Sequence, residues 1–408
     1  MAKAKRADVV IAGGGSAGLT AALAIKHGAP ALSVMVIDAA GPRKGGPDQR
    51  ASAIAAAARR MLAALGVWEK AASEAQPILG MEITDSATGD AVRPIFLTFD
   101  EPLADGEPFA HMVPNGVLGA ALKESAEKAG VKIVAPETVA DFTVQPGAVT
   151  LALGSGDKVE AKLLVAADGV RSGLRAKAGI HTVSWRYEQM AIVVNVAHER
   201  PHNGIAVEHF LPSGPFAILP LIGNRCSLVW TERETEAKKL LAEDEFVVQL
   251  ELERRFGHHL GAITLDGPRQ GFPLGLTLVR DFVRPRFALL GDAAHGIHPI
   301  AGQGLNLGFR DAAALAEIVV EANRIGLDIG DMEVLKRYER WRRFDTFQMG
   351  VTTDVLNRLF SRENGLLRIA RSVGLGIVDR LPQLKRGFIR EAAGLGGELP
   401  RLMRGETL

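Results

Sequence analysis

The sequence predicts an α/β fold: a unit with a parallel sheet, interrupted by a mainly β insertion and followed by a helical C-terminal region. Three observations carry this. An apolar run near the start passes through G-x-G-x-x-G into a helical segment. Two later apolar runs end in Asp-Gly and Gly-Asp, each followed by a helix start. Between those two, residues 183–280 read as a series of short alternating apolar runs, the pattern of strands.

The first element is Asp8-Val9-Val10-Ile11-Ala12, short and partly β-branched. Gly13-Gly14-Gly15-Ser16-Ala17-Gly18 follows, and Leu19 to His27 reads as a helix with Leu19, Ala22, Leu23 and Ile25 apolar. A second strand, Leu32 to Ile37, ends in Asp38, 20 residues beyond Gly18. Strand, glycine turn, helix, strand and acid make a dinucleotide-binding fingerprint. Gly13 lets the chain turn off the strand, Gly15 lets the backbone approach a pyrophosphate, and Gly18 lets the helix pack on the sheet. The helix N-terminus offers unpaired N–H groups and partial positive charge to phosphates. Asp38 accepts from an adenosine ribose and suits FAD or NAD better than NADP, whose extra phosphate it repels.

The second signal is Leu163 to Ala167, ending in Asp168-Gly169 before Val170-Arg171-Ser172 and Arg175. Taken alone, it reads equally well as a turn acid with Ser172 as a helix N-cap. The third is the densest. Phe287 to Leu290 runs into Gly291-Asp292, then through Ala293, Ala294, His295 and His298 to Gly302-Gln303-Gly304-Leu305-Asn306. A long helix, Leu305 to Ala322, follows with Leu307, Ala312, Leu315, Ile318 and Val319 on its apolar face. The Gly-Asp edge suits a carboxylate on ribose-type hydroxyls, and the glycine turn suits an anion at a helix start.

Composition removes several classes. Of 408 residues 45 are glycine, above the ~7% norm. The single cysteine, Cys226, forbids an internal disulfide framework and a multi-cysteine metal site. His258-His259 offers no carboxylate at ligand spacing, so no metal is expected. Lys and Arg number 48 against 47 Asp and Glu, which argues against nucleic acid as a partner. No apolar run reaches the ~18–20 residues of a membrane span, and Met1 to Arg6 leads straight into a strand, not a signal core. The expected compartment is the cytoplasm.

Together the three glycine segments resemble the class A aromatic-ring flavin monooxygenases, the para-hydroxybenzoate hydroxylase fold. The match narrows to the ubiquinone-biosynthesis hydroxylases through Asp48-Gln49-Arg50-Ala51-Ser52-Ala53-Ile54, Leu65-Gly66-Val67-Trp68, Ala75-Gln76-Pro77-Ile78, Pro114-Asn115 and Tyr187-Glu188-Gln189-Met190-Ala191. Glu208-His209-Phe210, Gly214-Pro215-Phe216-Ala217, Leu219-Pro220-Leu221, Val229-Trp230-Thr231, Tyr338 to Arg343, Thr353-Asp354 and Leu359-Phe360 continue it. There are two departures. Ala55 to Ala58 stand where the family usually carries a polar residue in the helix after Arg50, and of Pro114-Asn115-Gly116 only Asn115 carries over.

The resemblance implies a Rossmann-like FAD-binding domain of the glutathione-reductase type, formed by 1–75, 100–182 and 281–330. It implies a β-sheet substrate domain from 76–99 and 183–280, and a helical region from 331–408. The implied reaction is hydroxylation of a polyprenyl phenol in ubiquinone biosynthesis, with FAD reduced by a transiently bound NAD(P)H and O2 adding at flavin C4a to give the hydroperoxide that attacks the ring. Gly13, Gly15, Ser16, Ala17 and Gly18 would hold the pyrophosphate and Asp38 the ribose. Arg50 would contact FAD phosphate or ribityl, and Asp168 and Gly169 would serve FAD and NAD(P)H. Gly291 and Asp292 would face the ribityl chain, Pro299 the flavin edge, and Gly302, Gln303, Gly304, Leu305 and Asn306 flavin N1 and O2. His295 and His298 are the titratable candidates for a proton relay, with Pro299 beside them; the plain reading of His295 is structural.

Arg358–Arg390 carries eight basic residues and two acids, with Leu366, Ile369, Ala370, Val373, Ile377 and Leu381 at helical spacing. It reads either as a membrane-surface or partner contact, on the inner face of the cytoplasmic membrane or in a quinone-biosynthesis complex, or as an ordinary packed helix. Three other functions share parts of the pattern: a flavin monooxygenase of a soluble aromatic, a non-catalytic flavin-binding assembly subunit and an isoprenoid reductase.

Overall fold

Val9, Val10 and Ile11 show no polar alternation because they are buried on both sides. In the computed structural model of the chain, which describes residues 5–40, 48, 50–86, 95–100, 103, 106–297, 302–360 and 382–408, they lie in the strand Lys5–Ala12 at the middle of a sheet. Val34–Ile37 and Lys158–Ala166 flank it in parallel. Lys132–Val134 and Phe287–Leu289 extend the parallel ladder at either side. Val283–Arg284 closes one edge antiparallel, and the hairpin Val139–Gln145 and Ala148–Leu153 runs antiparallel off Lys158–Ala166.

The first helix is Ser16–Gly28, so the last three residues of the glycine motif form its opening turn and not a loop before it. Gly13 takes φ +119°, and a Cβ there would stand 2.2 Å from the Ala167 carbonyl oxygen. A Cβ on Gly18 would stand 2.1 Å from the Gly13 carbonyl oxygen. The strand, the turn and the helix are thereby locked at van der Waals distance. The central helix runs Gln303–Arg324, longer than expected by two residues at each end. It crosses the first helix where Gly308 faces Ala17, and a Cβ on Gly308 would approach the Ala17 Cβ to 3.2 Å.

Among the described residues a second sheet holds nine strands. The run Ala191–Val196 is the middle of one long strand, Thr182–His198, which pairs antiparallel with both Arg225–Arg233 and Gln270–Val279. Gly214–Leu221 and Ile205–Leu211 follow, and Gly80–Asp85 joins in parallel with Ile95–Phe99 beyond it. Segments far apart in sequence, near 80–99 and 182–279, therefore share one sheet. Alternation gave no sign of the helices Glu234–Ala242 and Glu245–Phe256. They cover one face of this sheet over Met190, Ile192, Val194, Leu228 and Trp230. A smaller sheet, Ala51–Ala55 with Ala110–Pro114 and Gln76–Ile78, lies beside the central helix.

The third motif stitches the two large sheets together. Phe287–Leu289 belongs to the first, and eight residues after Phe287 the pair His295–Gly296 bridges Leu278 and Thr277 of the second. The long helix Met332–Phe360 packs on the central helix, and Tyr338 Oη donates to the Leu289 carbonyl at 2.8 Å. After the helix Pro382–Ala392 the chain returns to the first unit. Ala57 N donates to Ala393 O, and Leu402 and Met403 enter the same core as Val9. His298, Pro299 and residues 361–381 of the basic stretch lie outside the described residues. No described helix is long and apolar enough to cross a membrane.

Gly18→Ala should lower the unfolding free energy by about 3 kcal/mol, the upper end for overpacking, because the clash is with backbone. Denaturant unfolding of the two proteins side by side measures it.

Candidate active site

Of the first glycine cluster, Gly13 and Gly18 are fixed by the protein's own packing. Gly15 differs: a Cβ there would meet nothing within 4 Å. It caps the first helix in extended conformation, so the first-turn N–H groups behind it face open space. Asp38 ends the second strand directly over Gly14, where a Cβ would come to 2.7 Å from its carboxylate oxygen. The fingerprint's anion cradle and its acid therefore adjoin, with room in front of both.

The second and third motifs are tied by one side chain. Arg175 donates from Nη1 to the Ala293 carbonyl at 2.8 Å and from Nη2 to the Val170 carbonyl at 2.9 Å. Ser172 accepts from Arg175 N, which makes it the helix N-cap, and Asp168 accepts from Leu174 N at 3.3 Å. Gly169 turns the chain at φ +84°. Nothing in the local sequence around Arg175 marks this bridging role.

Between the first unit and the free face of the second sheet lies a cavity of about 860 Å³. One wall is Asp292, Gly296, Ile297 and Gly302 to Asn306, with Val170, Arg171, Arg50 and Ala51 to Ala53 beside it. The opposite wall is mainly apolar, with Ile78, Met81, Ala217, Leu219, Val229 and Leu274. Arg50 is held by Asp48 through two side-chain bonds of 2.9 and 2.7 Å, and its guanidinium lies 5.1 Å from the Phe272 ring centroid. The pairing holds Arg50 charged. Asp292 opens onto the cavity while protein surrounds it. Desolvation raises its carboxyl, offset by His295 and reinforced by Asp311.

Asn306 has its side chain committed. It donates to the Ala53 carbonyl at 2.9 Å and accepts from Ala55 N at 3.0 Å, pinning the Ala51–Ala55 strand to the central helix. The alanines that replace the family's polar residue have a packing reason. Ala56, Ala57 and Ala58 are fully buried, and a Cβ on Gly394 of the returning chain would approach Ala57 to 3.4 Å.

His295 is brought beside the cavity but not into it. Its ring has no exposure, and Nε2 is 2.6 Å from Asp311 Oδ2. The same oxygen accepts from Gly291 N at 3.0 Å, and Oδ1 accepts from Arg342 Nε at 2.7 Å. This geometry gives His295 a structural part. Asp311 and Arg342 carried no role in the sequence reading. The available signal was Asp311 standing four residues from both Leu307 and Leu315 on an apolar helix stripe. Burial alone would raise the Asp311 carboxyl; the charges of His295 and Arg342 and their hydrogen bonds outweigh it and hold it below the usual carboxylate range.

In the sequence Glu208 stands out only as part of Glu208-His209-Phe210. It stands on the cavity wall, buried among apolar side chains, while its neighbour His209 points to the other face and bonds Thr84 and Ser86. Cys226 lies buried with its Sγ 3.3 Å from His198 Nε2, and burial pushes its thiol up to about 12, so it supplies no reactive thiolate.

Comparison with known proteins decides the family. Residues 6–346 match the FAD binding domain family. The chain is 46% identical to the ubiquinone hydroxylase UbiL of Rhodospirillum rubrum, over 99% of this chain and 94% of that one. It is 34% identical to the 3-demethoxyubiquinol 3-hydroxylase of Escherichia coli, over 95% and 98% respectively. This chain is a member of the ubiquinone-biosynthesis hydroxylases. Among solved structures, the p-nitrophenol 4-monooxygenase PnpA of Pseudomonas putida superposes with a TM-score of 0.79 over 97% of this chain and 99% of that one, at 20% identity, which shows the shared fold. Like its relatives, this hydroxylase is an FAD-dependent aromatic-ring monooxygenase.

Two outcomes follow from the buried bonds. Arg342→Met should lower stability by about 3–5 kcal/mol at neutral pH, since Asp311 is left charged and half-compensated. Because the folded Asp311 carboxyl is depressed, that contribution is complete above the ordinary carboxylate range and fades as pH falls through the folded value. The gap between the two denaturant midpoints should therefore narrow in acid. Asn306→Asp cannot donate to Ala53 O and should cost about 1–3 kcal/mol, read as a drop in thermal unfolding temperature.

Proposed function

We propose that this hydroxylase adds oxygen to the aromatic ring of a polyprenyl phenol, with NAD(P)H as transient reductant and O2 as co-substrate. The observation that carries the reading is the large cavity with one polar wall and one apolar wall. The polar wall brings together the Gly-Asp turn and the start of the central helix, and the apolar wall suits a phenol with a hydrocarbon substituent.

The residues fit FAD. The open space before Gly15, with Ser16, Ala17 and Gly18 opening the helix behind it, suits the pyrophosphate. Asp38 beside Gly14 suits the adenosine ribose. Asp168 and Gly169, joined through Arg175 to the turn at Gly291 and Asp292, suit the middle of an extended dinucleotide. Arg50, held charged by Asp48, suits phosphate or ribityl oxygens. At the cavity end, Gly302 adopts φ +63° and starts the central helix, leaving the N–H groups of Gln303, Gly304 and Leu305 for the flavin's N1 and O2 edge. The Asn306 side chain is spent on the Ala51–Ala55 strand, so the flavin-facing donors are backbone.

Bound FAD would supply the two-electron reduction and the activation of oxygen. What the chain's residues add is position and exclusion of water: the Gly302 turn and Asp292 orient one side, and Met81, Leu219 and Val229 keep the other dry. The basic stretch Arg358–Arg390 supports a contact with an anionic membrane surface or a partner, the source of an insoluble substrate.

The test is metabolite analysis of a deletion strain together with ¹⁸O2 labelling of the purified, FAD-loaded enzyme. A prenyl phenol lacking one ring hydroxyl should accumulate, and that compound should gain one labelled oxygen at the expense of NAD(P)H. Unchanged ubiquinone in the strain, or consumption of NAD(P)H with no label in any prenyl phenol, refutes the reading.

A further inference from the structure

Among the described residues, the mainly apolar wall of the cavity contains one acid. Across the second sheet, Ile83, Glu208, Ala217 and Val229 stand opposite one another on adjacent strands and so share a face. Met81, Ala206 and Leu219 form the neighbouring row. A lone carboxylate in such a surface is expensive unless something pairs with it. Glu208 is only 5% exposed, and it makes no hydrogen bond or ion pair with any described residue. Burial, the one influence felt by its carboxyl, pushes it up to about 7.

The other charged groups on the cavity wall are elsewhere engaged or differently placed. Arg50 is paired with Asp48 and Arg186 with Glu234. Asp292 and Arg171 belong to the opposite wall, around the Gly-Asp and Asp-Gly turns. Asp85, opposite Phe210 one step along the same sheet face, is the nearest acid in register.

We infer that Glu208 is a specificity-determining residue whose carboxylate accepts a hydrogen bond from the ring hydroxyl of the phenol. This rests on the reading of the cavity as a prenyl-phenol site and deepens it. The hydroxyl is the polar handle of such a substrate, and among the described residues Glu208 is the one unpaired carboxylate on the wall it packs against. Fixing the hydroxyl fixes which ring carbon faces the polar wall. Methylation of the hydroxyl removes the donor and leaves the apolar contacts intact.

The experiment measures binding to the FAD-loaded enzyme by perturbation of flavin absorbance, with 2-geranylphenol and its methyl ether as probes. Wild type should bind the phenol about tenfold or more tighter than the ether above pH 7, as expected of a hydrogen bond to a charged group. The ratio should fall as pH drops through about 7 and Glu208 takes up a proton. In Glu208→Gln, of the same shape, the ratio should shrink severalfold and lose its pH dependence, with FAD content and unfolding temperature retained. A wild-type ratio near one, or an undiminished ratio in Glu208→Gln, overturns the role of Glu208 while leaving the hydroxylase reading intact. If Glu208→Gln fails to load FAD, the wild-type profile decides, and a ratio that is flat with pH overturns the role. Failure of wild type to bind either probe overturns the prenyl-phenol reading and the Glu208 role together.

Discussion

Everything around the cavity hangs on one buried carboxylate. Asp311 sits inside the central helix with no exposure, yet its two oxygens take three hydrogen bonds from two other pieces of chain. One oxygen takes the Gly291 N–H and the His295 ring, so it shapes the turn that presents Asp292. The other takes Arg342 of the long helix, and Arg342 continues to Asp345. Asp345 in turn pairs with Arg310, whose guanidinium holds the Gly396 and Glu398 carbonyls. A charge so deeply buried is tolerated only because each bond is made; losing one leaves the rest uncompensated. The stability of the core and the shape of the cofactor-facing turn are therefore one constraint, not two.

The same economy of contacts governs the polar wall of the cavity. Arg175 fastens the Asp-Gly turn to the Gly-Asp turn, and Asn306 fastens the Ala51–Ala55 strand to the helix start. In both cases a side chain that resembles a ligand-binding group spends itself on backbone. What remains to meet a ligand is backbone N–H, a few well-placed acids and the guanidinium groups of Arg50 and Arg171. That division suits chemistry carried by a bound cofactor, for which the protein's task is orientation.

The parts of this that were legible in the sequence are the parts written in local pattern. The glycine fingerprint, the Gly-Asp turn and the central helix show in spacing alone, because turns and helix starts are decided within a few residues. The strands of the second sheet show in alternation, though their pairing of Gly80–Asp85 with Ile205–Leu211 does not, since register across more than a hundred residues leaves no local trace. Asp311, Arg342 and Glu208 carry no local signature in the sequence. Each is defined by what surrounds it in space, and the clue, a charge at an apolar position of a periodic element, becomes readable only once the face is known to be buried. His295 shows the reverse: its sequence neighbourhood suggested titration beside a flavin, while its surroundings make it a partner of Asp311.

One further consequence follows from how far apart in the chain the core residues lie. The core of the first sheet draws on Val9 and Val10 at one extreme and on Leu402 and Met403 at the other. The core between the second sheet and its two covering helices is drawn wholly from Met190 to Ile263. A ribosome therefore releases enough chain to finish the second core long before the first can close. During synthesis the nucleotide-binding sheet, although begun first, must wait with an unfinished core until Leu402 and Met403 have been added.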